Sequence, residues 1–387
     1  MKYYIIAGEA SGDLHGSNLI KELHKLDTSA NIHCWGGDLM QVAGATLVKH
    51  YRELAFMGFV EVVKNLPTIF KNIKFCKENI AAFNPDVLVL IDYPGFNLRI
   101  AEWAKQQGYK IVYYISPQVW AWKENRVKKM KQNIDRMLCI LPFEKDYYKN
   151  KWNWEVEYVG HPLVEEIERK KSEPVNSEWS MVKDDASPAI SPLTIHHSSS
   201  NVIALLPGSR KQEIIKKLPI MLEVAKSFPG YQFVVAMAPG QEDSFYEPFL
   251  AAYTNVSSVR NDTYNLLMKS KAALVTSGTA TLETALFGVP EVVCYKSSNI
   301  SYQIGKRLIK IKFISLVNLI MDRPVVKELI QHELTPVNLV KELNELLNDG
   351  TRIAKLKEDY IQLKNILSAG GHASAKAAAS IHRFIAK

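Results

Sequence analysis

The stretch Tyr3-Tyr4-Ile5-Ile6-Ala7-Gly8-Glu9-Ala10-Ser11-Gly12-Asp13-Leu14-His15-Gly16 decides the fold. Five apolar residues without polar alternation read as a strand covered on both faces. The glycine-containing turn then runs into a helix-period pattern at Leu19, Ile20, Leu23 and Leu26. Strand, tight turn and helix open a parallel βαβ unit. Apolar runs at 87–91, 110–115, 137–141, 202–206, 232–236, 272–276 and 292–295 repeat the pattern, each leading into a helix-like segment. The chain is therefore predicted to be α/β, with doubly wound parallel sheets.

At 387 residues the chain exceeds a typical domain of about 150, which favours two cores of similar size. Between Lys171 and Asn201 the periodicity collapses into a polar stretch with eight serines and three prolines. This sets the expected organisation: a first domain over 1–170, a Ser/Pro-rich linker or insertion over 171–201, and a second domain over 202–365. A terminal helix over 366–387, with Ile381, Phe384 and Ile385 as its apolar stripe, is expected to pack back on the first domain.

Hydrophobic residues at 47% and charged residues at 23% exclude a disordered or fibrous chain. Cys34, Cys76, Cys139 and Cys294 form no CxxC pair, which argues against a zinc site or a disulfide framework and for a reducing compartment. Residues 3–7 are too few for a signal-peptide core, and no run approaches the ~18 apolar residues of a membrane span. A cytosolic protein, or one resting on a membrane face, is expected. The charge of +8 favours anionic partners, with nucleic acid, nucleotide and acidic lipid all open.

In open parallel sheets ligands bind beyond the carboxyl ends of the strands. The first such place is the Gly8 to Gly16 turn, where glycines at four-residue spacing let backbone approach a ligand. It is not GxGxxG, which argues against NAD. Glu9 and His15 make the turn a candidate site, while Ser11 and Asp13 are equally ordinary helix caps. The second place is Ile91-Asp92-Tyr93-Pro94-Gly95-Phe96-Asn97. A carboxylate at the rim of a dry sheet has its pKa raised toward that of a useful base, so Asp92 is the candidate base and Glu9 its competitor.

The third place is split. Pro207-Gly208-Ser209-Arg210 follows one strand, and Ser277-Gly278-Thr279-Ala280-Thr281-Leu282-Glu283 joins another to a helix. Exposed N–H groups at a helix start suit a diphosphate, Arg210 supplies a bidentate clamp, and Glu283, read as a first-turn acid, suits ribose hydroxyls. No Walker sequence follows a glycine-rich loop, and no DxD pair or HExxH is present, so neither an NTPase nor a required metal is expected. His161 reads as a packing or hinge histidine.

Phe56, Met57, Phe59, Leu66 and Phe70, interleaved with Lys64, Lys71, Lys74 and Lys77, have the mix of an interfacial amphipathic helix, although a core-facing helix would look the same. A second basic cluster, Lys123, Arg126, Lys128, Lys129 and Lys131, follows Trp120 and Trp122.

Taken together, these motifs resemble the lipid-A-disaccharide synthase family, glycosyltransferases of the two-domain GT-B fold. The segments 8–13, 91–97 and 277–283 carry the likeness. With them stand Met57-Gly58-Phe59-Val60-Glu61-Val62, Ser116-Pro117-Gln118-Val119-Trp120-Ala121-Trp122, Leu141-Pro142-Phe143-Glu144, Val159-Gly160-His161-Pro162, Leu206-Pro207-Gly208-Ser209-Arg210 and Ser315-Leu316-Val317-Asn318-Leu319. Gly95 departs from the family, which often has an acid there, and leaves Asp92 as the acid of its segment.

The resemblance implies two Rossmann-like domains facing a cleft. It implies transfer of a 2,3-diacylglucosamine unit from its UDP donor to 2,3-diacylglucosamine 1-phosphate, with inversion, a β-1,6 linkage and release of UDP. Asp92 or Glu9 would be catalytic. Arg210, Ser277, Gly278, Thr279, Glu283 and Asn318 would hold the donor, and Ser11, Asp13, His15, Asn97 and Ser116 would form the acceptor or cleft set. No cofactor and no nucleic-acid partner are implied. The acyl chains would stay at the cytoplasmic face of the inner membrane, and a homodimer is allowed. Other GT-B nucleotide-sugar enzymes (the peptidoglycan N-acetylglucosaminyltransferase or a UDP-N-acetylglucosamine 2-epimerase), or a noncatalytic basic binding protein, are the alternatives.

Overall fold

The computed structural model describes residues 1–54, 66–173, 201–298, 302–303, 307 and 311–386. They form two compact units, Met1–Glu165 with Ile366–Lys387, and Glu166–Asn365.

The first unit is built on β1 (Lys2–Ala7), β2 (Asn31–Gly36), β3 (Thr46–His50), β4 (Val87–Ile91), β5 (Ile111–Tyr114), β6 (Arg136–Cys139) and β7 (Glu157–Tyr158). Their order is β3-β2-β1-β4-β5-β6-β7, all parallel. The apolar run predicted for β1 is buried on both faces because successive side chains point opposite ways. Tyr4 and Ile6 join a core with Ile80, Leu90 and Phe96, whereas Tyr3, Ile5 and Ala7 join another with Leu19, Ile20 and Leu23. The alanine-rich helix Ala373–Ile385 closes that second core with Ala377, Ala378 and Ile381, all fully buried against the helix Ala10–Leu26.

The second unit carries β8 (Val202–Leu206), β9 (Gln232–Met237), β10 (Val256–Arg260), β11 (Ser270–Thr276), β12 (Glu291–Tyr295) and β13 (Lys327–Ile330). Their order is β10-β9-β8-β11-β12-β13, again all parallel. In both sheets the order reverses direction beside the first strand, between β1 and β4 and between β8 and β11. Such switch points open a crevice at the carboxyl ends of doubly wound sheets.

The helix Pro162–Ser172 runs across the expected boundary at 170. Residues 166–170 group with the second unit, where Lys171 Nζ donates to Leu286 O at 2.8 Å. The serine-rich stretch falls, apart from residues 171–173 and 201, outside the described residues.

Candidate active site

At the first switch point Ala7 of β1 pairs with Ile91 of β4, so Gly8 and Asp92 leave the sheet side by side. Asp92 and Tyr93 both adopt left-handed backbone, φ +42° and +49°. Non-glycine residues hold that conformation when their surroundings enforce it, and such strain gathers at functional sites. Here the enforcement is visible. Asp92 N donates to Tyr114 O at 3.1 Å, and the Asp92 carbonyl accepts from Asn97 Nδ2 at 2.8 Å and from the Tyr113 hydroxyl at 2.5 Å. The Tyr93 ring lies so close over Gly8 that a Cβ there would stand 2.3 Å from the ring, which only glycine avoids.

The backbone that carries the Asp92 carboxyl is thereby fixed, and the residue is half-buried. Burial, with the nearby Glu9 charge second, raises its pKa to about 6, against an opposing backbone amide of Tyr93. Glu9 is exposed at the start of its helix. Asp92 thus combines a half-buried carboxyl with strained backbone, and Glu9 acts on it as a neighbouring charge.

The expected acceptor residues divide. Ser11 is exposed, and His15 is partly buried and pulled down to about 4 by burial. His161 is pulled to about 3 by burial, with His15 adding to the effect, so both imidazoles are neutral at pH 7. His161 Nδ1 accepts from Leu163 N at 3.3 Å, which puts its proton on Nε2.

Three others have their side chains engaged within the fold. Asp13 is 3% exposed and accepts from Gly37 N, Leu39 N and Met40 N at 2.8–3.2 Å, so its carboxylate caps the neighbouring helix Asp38–Val42. Asn97 is fully buried and ties together the carbonyls of Ile6, Ile91 and Asp92. Ser116 Oγ is bonded to Tyr148 OH at 2.7 Å.

At the second switch point Leu206 of β8 pairs with Val275 of β11. The turn after β8 passes through Gly208, φ +118°, into Arg210, which begins the helix Lys211–Ala225 and is largely exposed. The turn after β11 passes through Gly278, φ +149°, into the helix Thr279–Phe287. Gly278 and Thr279 are exposed, so the leading N–H groups of that helix and the positive end of its dipole face outward.

Glu283 lies in the second turn, not the first. Its carboxylate accepts from Tyr264 OH at 3.0 Å, and burial raises its pKa. The Ser277 hydroxyl donates to Ile314 O at 2.8 Å, which leaves that oxygen only as an acceptor, a poor match for phosphate. Asn318 is 1% exposed, its Nδ2 donates to Val326 O and Glu328 Oε1, and its Oδ1 accepts from Val325 N and Val326 N. With all four hydrogen-bonding positions filled, it pins the 325–328 segment and has none left for a donor.

Residues not singled out from the sequence complete these sites. Tyr113 and Tyr93 hold Asp92, Tyr264 holds Glu283, and Lys217 lies buried beneath the Arg210 turn. Lys217 did carry a signal, a lysine on the apolar stripe of Ile214, Leu218 and Met221. Of the residues expected at a membrane face, Phe56, Met57 and Phe59 lie outside the described residues, as does the Leu66 side chain. Phe70 is 62% exposed on the helix Leu66–Phe83.

A family model described as lipid-A-disaccharide synthetase matches residues 3–383. A lipid-A-disaccharide synthase from Geobacter metallireducens is 39% identical, covering 95% of this chain and 93% of that protein. One from Myxococcus xanthus is 35% identical over 97% and 96%. Among solved structures, the UDP-GlcNAc 2-epimerase of Neisseria meningitidis bound to UDP-GlcNAc has a TM-score of 0.66 at 14% identity, with both chains fully covered. The glycosyltransferase of kitacinnamycin has a TM-score of 0.63 at 14% identity, covering 99% and 98%. These distant likenesses show the fold, two doubly wound α/β domains of GT-B type. The match along almost the whole length at more than a third identity shows more: the chain belongs to the lipid-A-disaccharide synthetase family and is a glycosyltransferase that forms the lipid A disaccharide.

Proposed function

We propose that the chain transfers 2,3-diacylglucosamine from its UDP-linked form to the 6-hydroxyl of 2,3-diacylglucosamine 1-phosphate, giving a β-1,6 disaccharide 1-phosphate and UDP. Asp92 takes the hydroxyl proton as the acceptor oxygen attacks the anomeric carbon. The bond from that carbon to the diphosphate breaks on the opposite face, and its electron pair leaves with UDP. Arg210 and the N–H groups at Gly278 and Thr279 hold the departing charge, and Glu283 accepts from the ribose hydroxyls. The observation that carries this reading is Asp92, a carboxyl strained into place at a switch point with its pKa raised to about 6. The UDP-GlcNAc bound to a structure of the same fold supports a UDP-sugar donor.

The test is mass spectrometry of products formed from acylated and unacylated UDP-glucosamines with the acylated 1-phosphate acceptor. Disaccharide and UDP are expected from the acylated donor alone. Turnover of UDP-N-acetylglucosamine with inversion at C2 would make the chain an epimerase instead.

Among the described residues no helix is long and apolar enough to cross a membrane. We propose that the chain instead rests on the cytoplasmic face of the inner membrane through the helix Leu66–Phe83. Ile73, Cys76 and Ile80 of that helix face the core, whereas Phe70 and Phe75 are exposed beside Lys71 and Lys74. Exposed rings flanked by ammonium groups suit an acyl boundary under anionic headgroups. Phe70→Glu is expected to reduce co-sedimentation with anionic vesicles by about tenfold, the scale set by burying one phenyl ring. Undiminished binding would remove this helix from the contact.

A further inference from the structure

Lys217 is 3% exposed, at the carboxyl ends of β8 and β11. Its ammonium donates to the Thr276 hydroxyl and lies 3.7 Å from Glu213 Oε2. The other Glu213 oxygen, Oε1, lies 3.8 Å from Arg210 Nη1. A Cβ on Gly208 would stand 2.6 Å from Glu213 Oε2 and 3.5 Å from Lys217 Nζ, so glycine alone lets the turn settle on this pair. Thr276, Lys217, Glu213 and Arg210 thus form one relay under the 207–210 turn, running from the sheet to an exposed guanidinium.

The relay answers an electrostatic difficulty. An acid within ion-pair reach of Arg210 competes with an incoming diphosphate for the guanidinium and repels it. Glu213 sits between two cations of unequal freedom, because Lys217 is buried and anchored whereas Arg210 is on the surface. A partly buried pair holds its charge more firmly than an exposed one. We infer that Lys217 is a positioning residue: it draws the Glu213 charge inward and so leaves Arg210 available to the diphosphate of the donor. This rests on the donor reading proposed above. Burial lowers the pKa of the Lys217 ammonium, and Glu213 opposes that effect, consistent with a cation kept charged by its acid.

Calorimetric titration of the full chain with UDP separates the two ideas. Failure of the parent to bind UDP overturns the donor reading, and this inference with it. With a parent that binds, Lys217→Met is expected to weaken UDP about tenfold or more, because Glu213 then turns wholly to Arg210. Adding Glu213→Gln to that variant is expected to restore affinity to within about threefold of the parent, the signature of coupled neighbours. Parent-like binding by Lys217→Met overturns the inference, as does a loss that the second substitution fails to restore, since a purely structural lysine would behave that way. If Lys217→Met does not fold, Glu213→Gln alone decides. UDP affinity at or above that of the parent is expected, and a tenfold loss overturns the inference.

Discussion

Replacing Asp92 by asparagine is expected to lower turnover by roughly 10²–10⁴-fold, the usual contribution of a positioned general base. Fold and UDP affinity should survive. The bonds that hold position 92 go to its backbone, from Asn97 Nδ2 and Tyr113 OH, and asparagine tolerates left-handed backbone better than most residues. In the parent, kcat/KM should rise through an apparent pKa near 6 and level off above it, because only the ionised carboxyl accepts a proton. Asp92→Asn should lose that limb. The sign for stability runs the other way. A carboxyl whose folded pKa is raised costs stability as pH climbs from its unfolded value through 6, so the variant should be at least as stable as the parent at neutral pH. A folded Asp92→Asn protein with parental turnover would move the base elsewhere, with Glu9 the first place to look.

The second large effect is expected at Arg210. Arg210→Ala should reduce kcat/KM for the donor by roughly 10²–10³-fold, the cost of removing one stabilising group from a developing anion. Both parameters should move, since the guanidinium meets the diphosphate in the ground state and gains as UDP departs. Thermal unfolding should hardly change, because the Arg210 side chain is 68% exposed and its ion pair with Glu213 is long, at 3.8 Å. Arg210→Lys should fall between the two, keeping the charge without the planar fork. A kcat/KM for Arg210→Ala within threefold of the parent would place the diphosphate elsewhere.

Much of this was legible in the amino-acid order, for a physical reason. The eight strands read as apolar runs are all interior strands of their sheets, where helices cover both faces. The outermost strands β3, β7, β10 and β13 do not read as strands, since Lys49, Glu157, Ser257 and Lys327 break their apolar pattern. Nor does β2, which His33 and Gly36 interrupt. The placement of Asp92 and Arg210 just beyond strand ends was legible, and strand ends are where ligands bind in such sheets. The hydrogen-bond partners of Asp13, Asn97 and Asn318 were not. A buried polar side chain is defined by which distant amides and carbonyls it meets, and Gly37, Ile6 and Val326 come into reach only once the chain has folded. Tyr113 shows the same limit, being simply an apolar strand residue until its hydroxyl meets the carbonyl of Asp92.

The docking of the helix Ala373–Ile385 on the helix Ala10–Leu26 has a consequence for biosynthesis. Leu19, Ile20 and Leu23 are made long before the side chains of Ala377, Ala378 and Ile381 that cover them. Until residues 373–385 are made the amino-terminal unit therefore carries an uncovered greasy strip, while residues 166–365 can complete their own core on the nascent polypeptide. The first unit therefore completes its core only after the whole of the second has been made.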